Sequence, residues 1–339
     1  MIRSTCVLTR FLCLTVALLG FSVAAAQSAG GTLEQINVFG PSLDGNLEGD
    51  DPNRNVFVYL PPSYQSEPNR RYPVVYFLHG YGVGAQVYSN LLDLPEAVDG
   101  AIAGGAREMI VVLPDANSRY NGSMYSNSPT TGDWEAYISR DLVAHIDSNY
   151  RTVAERASRG LSGHSMGGYG TMRIGMKHPE VFGALFAMSS CCLMNSAPTL
   201  EAVEQQIART ADGPPAGGGF ANVLLAQAAA WAPNPNNPPL YIDWPYKDGE
   251  LQPLVQAKWI ANAPLVMVDQ YVPSLKSYRA IFIDVGDADS LAASNVQLNE
   301  ALERLGVEHE FEIYEGDHGN RVAQRFRENV LPFFSEYLD

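Results

Sequence analysis

Gly163-His164-Ser165-Met166-Gly167 has the spacing of a nucleophile elbow, a sharp turn that lifts a serine hydroxyl out of a sheet between a buried strand and a helix. Small residues two before and two after the serine let that turn close without a Cβ clash. Five residues alone are a weak signal, so the flanks matter. Ala157 to Leu161 reads as a short entering strand, and Gly167 to Lys177 as a helix with Met172 and Met176 four apart. In that setting the pentapeptide points to a serine hydrolase.

Working outward, strand and helix signals alternate. Pro73 to Leu78, Met109 to Leu113 and Gly183 to Ser190 are apolar runs of the kind found in parallel strands buried on both faces. Trp134, Ile138, Leu142 and Ile146 recur every four residues over Trp134 to Tyr150, as on an amphipathic helix. Tyr278 to Val285 and His309 to Tyr314 read as strands, Leu291 to Leu305 and Arg321 to Leu338 as helices. The rhythm predicts an α/β-hydrolase fold: a mostly parallel central sheet flanked by helices, in one domain over residues 27–339. About Asn195 to Ser277 interrupts it with two runs rich in Gly, Pro and Asn, 213–219 and 233–239, and is expected to form a lid or cap.

Serine needs a base to take its proton and a third group to orient that base. In the α/β-hydrolase order the acid follows the serine and the histidine comes last. The histidines after Ser165 are His178, His309 and His318. His178 closes the elbow helix beside Pro179 and is expected to cap it. His309 stands between Glu308 and Glu310 and is expected to face solvent. His318, in Glu315-Gly316-Asp317-His318-Gly319-Asn320 just past a strand, suits a base brought down onto the serine. Gly286-Asp287-Ala288-Asp289 offers the acid. Asp289 is preferred because the residues before it give room to turn back, and Asp287 is left to cap the loop. Oxyanion donors are expected from the backbone N–H of Met166 and from that of Tyr81 in Leu78-His79-Gly80-Tyr81-Gly82. His79 and His164 are expected to play structural parts, bonding neighbouring backbone.

Arg3 and Arg10, the apolar core Phe11 to Phe21 and Ala24-Ala25-Ala26 read as an export signal over residues 1–26, which predicts a secreted or periplasmic protein. The apolar core is shorter than the roughly 20 residues of a membrane span. A formal charge of −15 argues against nucleic acid and anionic membranes as partners. Beyond the signal only Cys191 and Cys192 remain, and they are adjacent. Two thiols or a vicinal disulfide are both open readings, and no spaced Cys/His cluster suggests a metal.

Tyr59-Leu60-Pro61-Pro62-Ser63-Tyr64 and Arg71-Tyr72-Pro73-Val74-Val75-Tyr76-Phe77-Leu78-His79-Gly80-Tyr81 resemble the opening of an esterase family of α/β-hydrolases. That family includes feruloyl and acetyl-xylan esterases, tributyrin esterases, S-formylglutathione hydrolase and the mycolyltransferases. The likeness continues through Leu113-Pro114-Asp115, Gly122-Ser123-Met124-Tyr125, Trp134-Glu135 and Gly163 to Gly170, and lapses over Asn195 to Ser277. The resemblance implies Ser165 as nucleophile, Asp289 as acid, His318 as base, and no metal or cofactor. Its substrate would be a small-molecule or carbohydrate-linked ester. Hydrolysis and acyl transfer use the same residues, so a transferase stays open, as does a binding protein on a retired hydrolase fold. An export signal separates the chain from cytosolic glutathione and so from the S-formylglutathione reaction.

Overall fold

The computed structural model describes Met1 and residues 30–194, 198–210 and 219–339. The expected signal therefore lies outside the described residues, apart from Met1.

The apolar runs become strands because each is too short for a helix and has both faces to bury. Val74–Leu78 (β3) and Ile110–Pro114 (β4) are buried at every residue, as are Arg159–His164 (β5) and Ala184–Met188 (β6). Ala280–Gly286 (β7) and Glu310–Tyr314 (β8) complete the parallel part. Two earlier strands, Thr32–Phe39 (β1) and Asn53–Leu60 (β2), pair antiparallel with each other, and β2 pairs antiparallel with β4. The order across the eight-stranded sheet is β1-β2-β4-β3-β5-β6-β7-β8.

The sheet separates two apolar cores. One face packs Tyr76, Leu161, Tyr169 and Met172 with the described part of the insertion; the other packs Phe77, Val111 and Phe186 under Phe326 and Phe334 of the closing helical segment. Each such side chain contributes about 1.5–3 kcal/mol on burial.

Trp134 to Asn149 is helical throughout, but Tyr137–Leu142 is a π turn set between Trp134–Ala136 and Val143–Asn149. Glu135, at its start and buried, accepts from Arg173 Nε at 2.8 Å and pairs with Lys177 Nζ at 2.5 Å, which ties this helix to the elbow helix. Burial alone would push the Glu135 carboxyl up. The His178, Arg173 and Lys177 side chains outweigh it and hold the group well below the usual carboxylate range.

Within the insertion, Leu200–Arg209, Val223–Trp231 and Pro253–Ala261 are helices. Ala229 O accepts from Ser128 Oγ at 2.6 Å, and Leu265 N–H donates to Leu193 O at 3.1 Å, so the segment is bonded to the sheet domain. Trp231 and Trp259 are buried and meet edge to face at 5.6 Å, which makes them core. Trp244 and Tyr246 instead line a separate cleft of about 590 Å³ with Asn236, Asp243 and Gln252. Among the described residues no helix is long and apolar enough to cross a membrane.

Candidate active site

Ser165 follows β5 and precedes the helix Met166–Lys177, with φ 59° and ψ −114°. A non-glycine residue held there costs of order 1–3 kcal/mol and persists only where its surroundings enforce it. Here three backbone bonds do so. Ser165 N–H donates to Met188 O at 3.0 Å, and Ser165 O accepts from Tyr169 N–H at 3.0 Å and Cys191 N–H at 3.1 Å. The motif glycines are required by contact rather than by dihedral angle. A methyl on Gly167 would overlap the Leu78 carbonyl, and one on Gly163 would come within 2.5 Å of the Gly167 backbone.

His318 descends from the loop after β8 and Asp289 from the loop after β7. His318 Nε2 lies 2.9 Å from Ser165 Oγ, and His318 Nδ1 lies 2.8 Å from Asp289 Oδ2. The Asp289 carboxylate is fully buried, whereas the imidazole is 39% exposed. Its other oxygen accepts from Leu291 N–H at 2.8 Å, so the carboxylate is fixed at both ends. Asp287 points elsewhere and accepts from Gly316 N–H at 3.0 Å. The two loops are zipped along their backbones, with Asp287 N–H donating to Tyr314 O at 2.8 Å and Ala288 N–H to Gly316 O at 2.9 Å.

His164, buried beneath, was expected to bond neighbouring backbone, but its partners are a side chain and a carbonyl far along the chain. Its Nδ1 accepts from Tyr88 OH at 2.6 Å, which leaves Nε2–H to donate to His318 O at 2.8 Å. The two imidazole rings lie 4.7 Å apart. Burial, and next the neighbouring His318, push the His164 pKa down to about 3, so it is neutral at working pH. No local signal marks this part, since both partners are distant in sequence.

His79 accepts from Ala116 N–H at Nε2 and donates from Nδ1 to Gly80 O, both at 2.8 Å. That fixes the turn carrying Tyr81. Gly80 sits so close that a Cβ there would be 3.4 Å from the Ser165 Cβ, which brings the Gly80–Tyr81 peptide beside the serine. The Tyr81 phenol donates to Tyr120 O at 2.7 Å, and its ring lies 5.8 Å from that of Phe220 in the insertion. Met166 opens the elbow helix, so its N–H stands at the positive end of the helix dipole.

The other two histidines after Ser165 lie apart from this group. His178 occupies the C-terminal cap position, but its ring faces Glu135 at 3.8 Å and Glu180 at 3.5 Å. His309, expected to face solvent, is half-buried instead. Asn299 Oδ1 lies 2.9 Å from its Nε2, because the helix Ala292–Arg304 passes over the start of β8. Among the described residues no group of three or more His, Cys, Asp or Glu is placed to hold a metal.

A serine on a strained turn after β5, with histidine and aspartate from the loops after β8 and β7 in this sheet order, defines the α/β-hydrolase class. The family model described as "Putative esterase" matches residues 51–331, and the chain belongs to that family. It is 30% identical over 131 residues to an esterase of Mycobacterium tuberculosis, covering 37% of this chain and 26% of that protein. It is 33% identical over 132 residues to an endo-1,4-beta-xylanase/feruloyl esterase of Xylanibacter ruminicola, covering 37% and 18%. The chain thus spans about a quarter or less of the length of these curated relatives. A solved ferulic acid esterase superposes with a TM-score of 0.67 at 23% identity, over 91% of this chain and 99% of that one, a likeness of fold.

Proposed function

We propose that this chain is an exported serine hydrolase of carboxylic esters, in which Ser165 attacks the carbonyl, His318 is the base and Asp289 orients it. One observation carries the reading: the unbroken line Ser165 Oγ–His318 Nε2 at 2.9 Å and His318 Nδ1–Asp289 Oδ2 at 2.8 Å. His318 takes the serine proton as the tetrahedral intermediate forms, and the buried Asp289 stabilises the resulting imidazolium and holds its tautomer. The N–H groups of Tyr81 and Met166 receive the oxyanion. His318 then protonates the departing alcohol, and a water activated by the same imidazole releases the acid from Ser165. The Tyr81 and Phe220 rings, beside the oxyanion turn, support an aryl or short acyl group, in line with the feruloyl esterase named among the relatives.

Hydrolysis of p-nitrophenyl acetate, butyrate, octanoate and laurate and of methyl ferulate tests this, with Ser165→Ala alongside. The variant should lose about 10⁴-fold or more in kcat. Equal rates in the two proteins would remove Ser165 from the reaction. Turnover that appears only when an alcohol acceptor is added would make the chain an acyltransferase.

A further inference from the structure

Cys191 and Cys192 lie where the nucleophile meets the insertion. Cys191 N–H is one of the three bonds that hold the strained Ser165 peptide, at 3.1 Å from Ser165 O. Cys192 has φ 60°, a left-handed conformation costly for a residue with a Cβ, and its Sγ accepts from Gln227 Nε2 at 3.5 Å. Gln227 belongs to the insertion helix Val223–Trp231. The next residue, Leu193, receives the Leu265 N–H bond from the insertion. The two half-buried side chains turn toward each other, with their Sγ atoms 2.7 Å apart. Closing from there to a bond of about 2.0 Å works against Cα atoms only about 3.8 Å apart, below the usual disulfide range, so the ring is strained.

We propose that Cys191 and Cys192 form a redox-modifiable vicinal dithiol, oxidised by a small-molecule disulfide to a ring that fixes the join between the nucleophile turn and the insertion. The Cys192 thiolate attacks one sulfur of the disulfide RSSR, forms a mixed disulfide and releases RS⁻. Cys191 then loses its proton and attacks the Cys192 sulfur, expelling the second RS⁻. Two electrons and two protons leave the pair, and RSSR becomes two RSH. The Gln227 amide that donates to Cys192 Sγ supports the thiolate there and makes Cys192 the first attacker. Once formed, the ring holds the left-handed Cys192 backbone, and with it the Cys191 N–H that supports Ser165.

The full chain, reduced with dithiothreitol and then treated with oxidised glutathione, is alkylated with iodoacetamide and digested with trypsin. The tryptic peptide His178–Arg209 contains both residues and no other cysteine. After oxidation it should be unalkylated and about 2 Da lighter than the dithiol form, and after reduction doubly alkylated. Two alkylations after oxidant, a glutathione adduct that persists, or a cross-linked dimer would each overturn the proposal. The coupling to Ser165 rests on the esterase reading and has its own readout. The kcat/KM for p-nitrophenyl butyrate should differ at least about threefold between the two forms, and not at all in Cys192→Ser. Equal values in both wild-type forms would overturn that coupling. Absence of turnover in either form would count against the esterase reading and leave the peptide masses to decide the disulfide.

Discussion

Lowering the pH should destabilise the fold through His164. An ordinary histidine titrates near 6.5, whereas the buried His164 does so at about 3. Between those values the unfolded chain binds a proton that the native site refuses. The stability contributed by the neutral ring is therefore complete above about pH 6.5 and is lost as pH falls toward 3. At about 1.4 kcal/mol per pH unit, the step from pH 7 to 4.5 removes roughly 2–3 kcal/mol. Urea unfolding followed by tryptophan fluorescence at both pH values measures the loss, with His164→Gln as reference. Glutamine keeps an N–H donor for the His318 carbonyl but does not titrate, and every other group shifts equally in both proteins. The wild-type loss should exceed that of the variant by about 2–3 kcal/mol. Parallel losses would refute the argument, because they would mean that the native site accommodates the imidazolium.

Replacing Asp289 with Asn should lower kcat about 10⁴-fold through the wrong His318 tautomer. Asp287→Ala should keep kcat within an order of magnitude and cost about 1 kcal/mol through the Gly316 N–H it abandons. Steady-state kinetics and urea unfolding separate the two, and a reversed ranking would exchange their roles. Gly167→Ala forces a methyl into the Leu78 carbonyl, so it should cost more than about 3 kcal/mol and lower Tm by more than about 5 °C. A thermal melt within about 2 °C of wild type would show that the elbow relaxes freely.

The parallel core was legible where its strands are apolar runs, as at Val74–Leu78, Ile110–Pro114 and Ala184–Met188, whereas Arg159–His164 was placed by the elbow that follows it and Glu310–Tyr314 by its alternation. The other expected strands fall within about two residues of those observed, whereas the one expected over Ala157 to Leu161 starts later and runs on to His164. The first strand, Thr32–Phe39, went unread. Only Val38 in it is buried, so it carries little apolar pattern and is held by pairing with β2. The π turn over Tyr137–Leu142 also left no mark, since one extra residue in a turn barely disturbs a four-residue repeat. The place of His164 depends on Tyr88 and a carbonyl more than 150 residues away, contacts that only the folded chain creates.

The zipped loops after β7 and β8 carry a consequence for how specificity can change. Asp289 and His318 are registered to each other by backbone bonds that involve no residue of the insertion. The spacing of Asp289 and His318 is therefore set by the sheet, while residues such as Phe220 and Gln227 meet the candidate site from outside it. On the esterase reading, remodelling the insertion away from its join at Cys191 to Leu193 exchanges the container and leaves the register of Asp289 and His318 untouched. A chain built this way can wander among substrates in small steps, each intermediate still able to turn over.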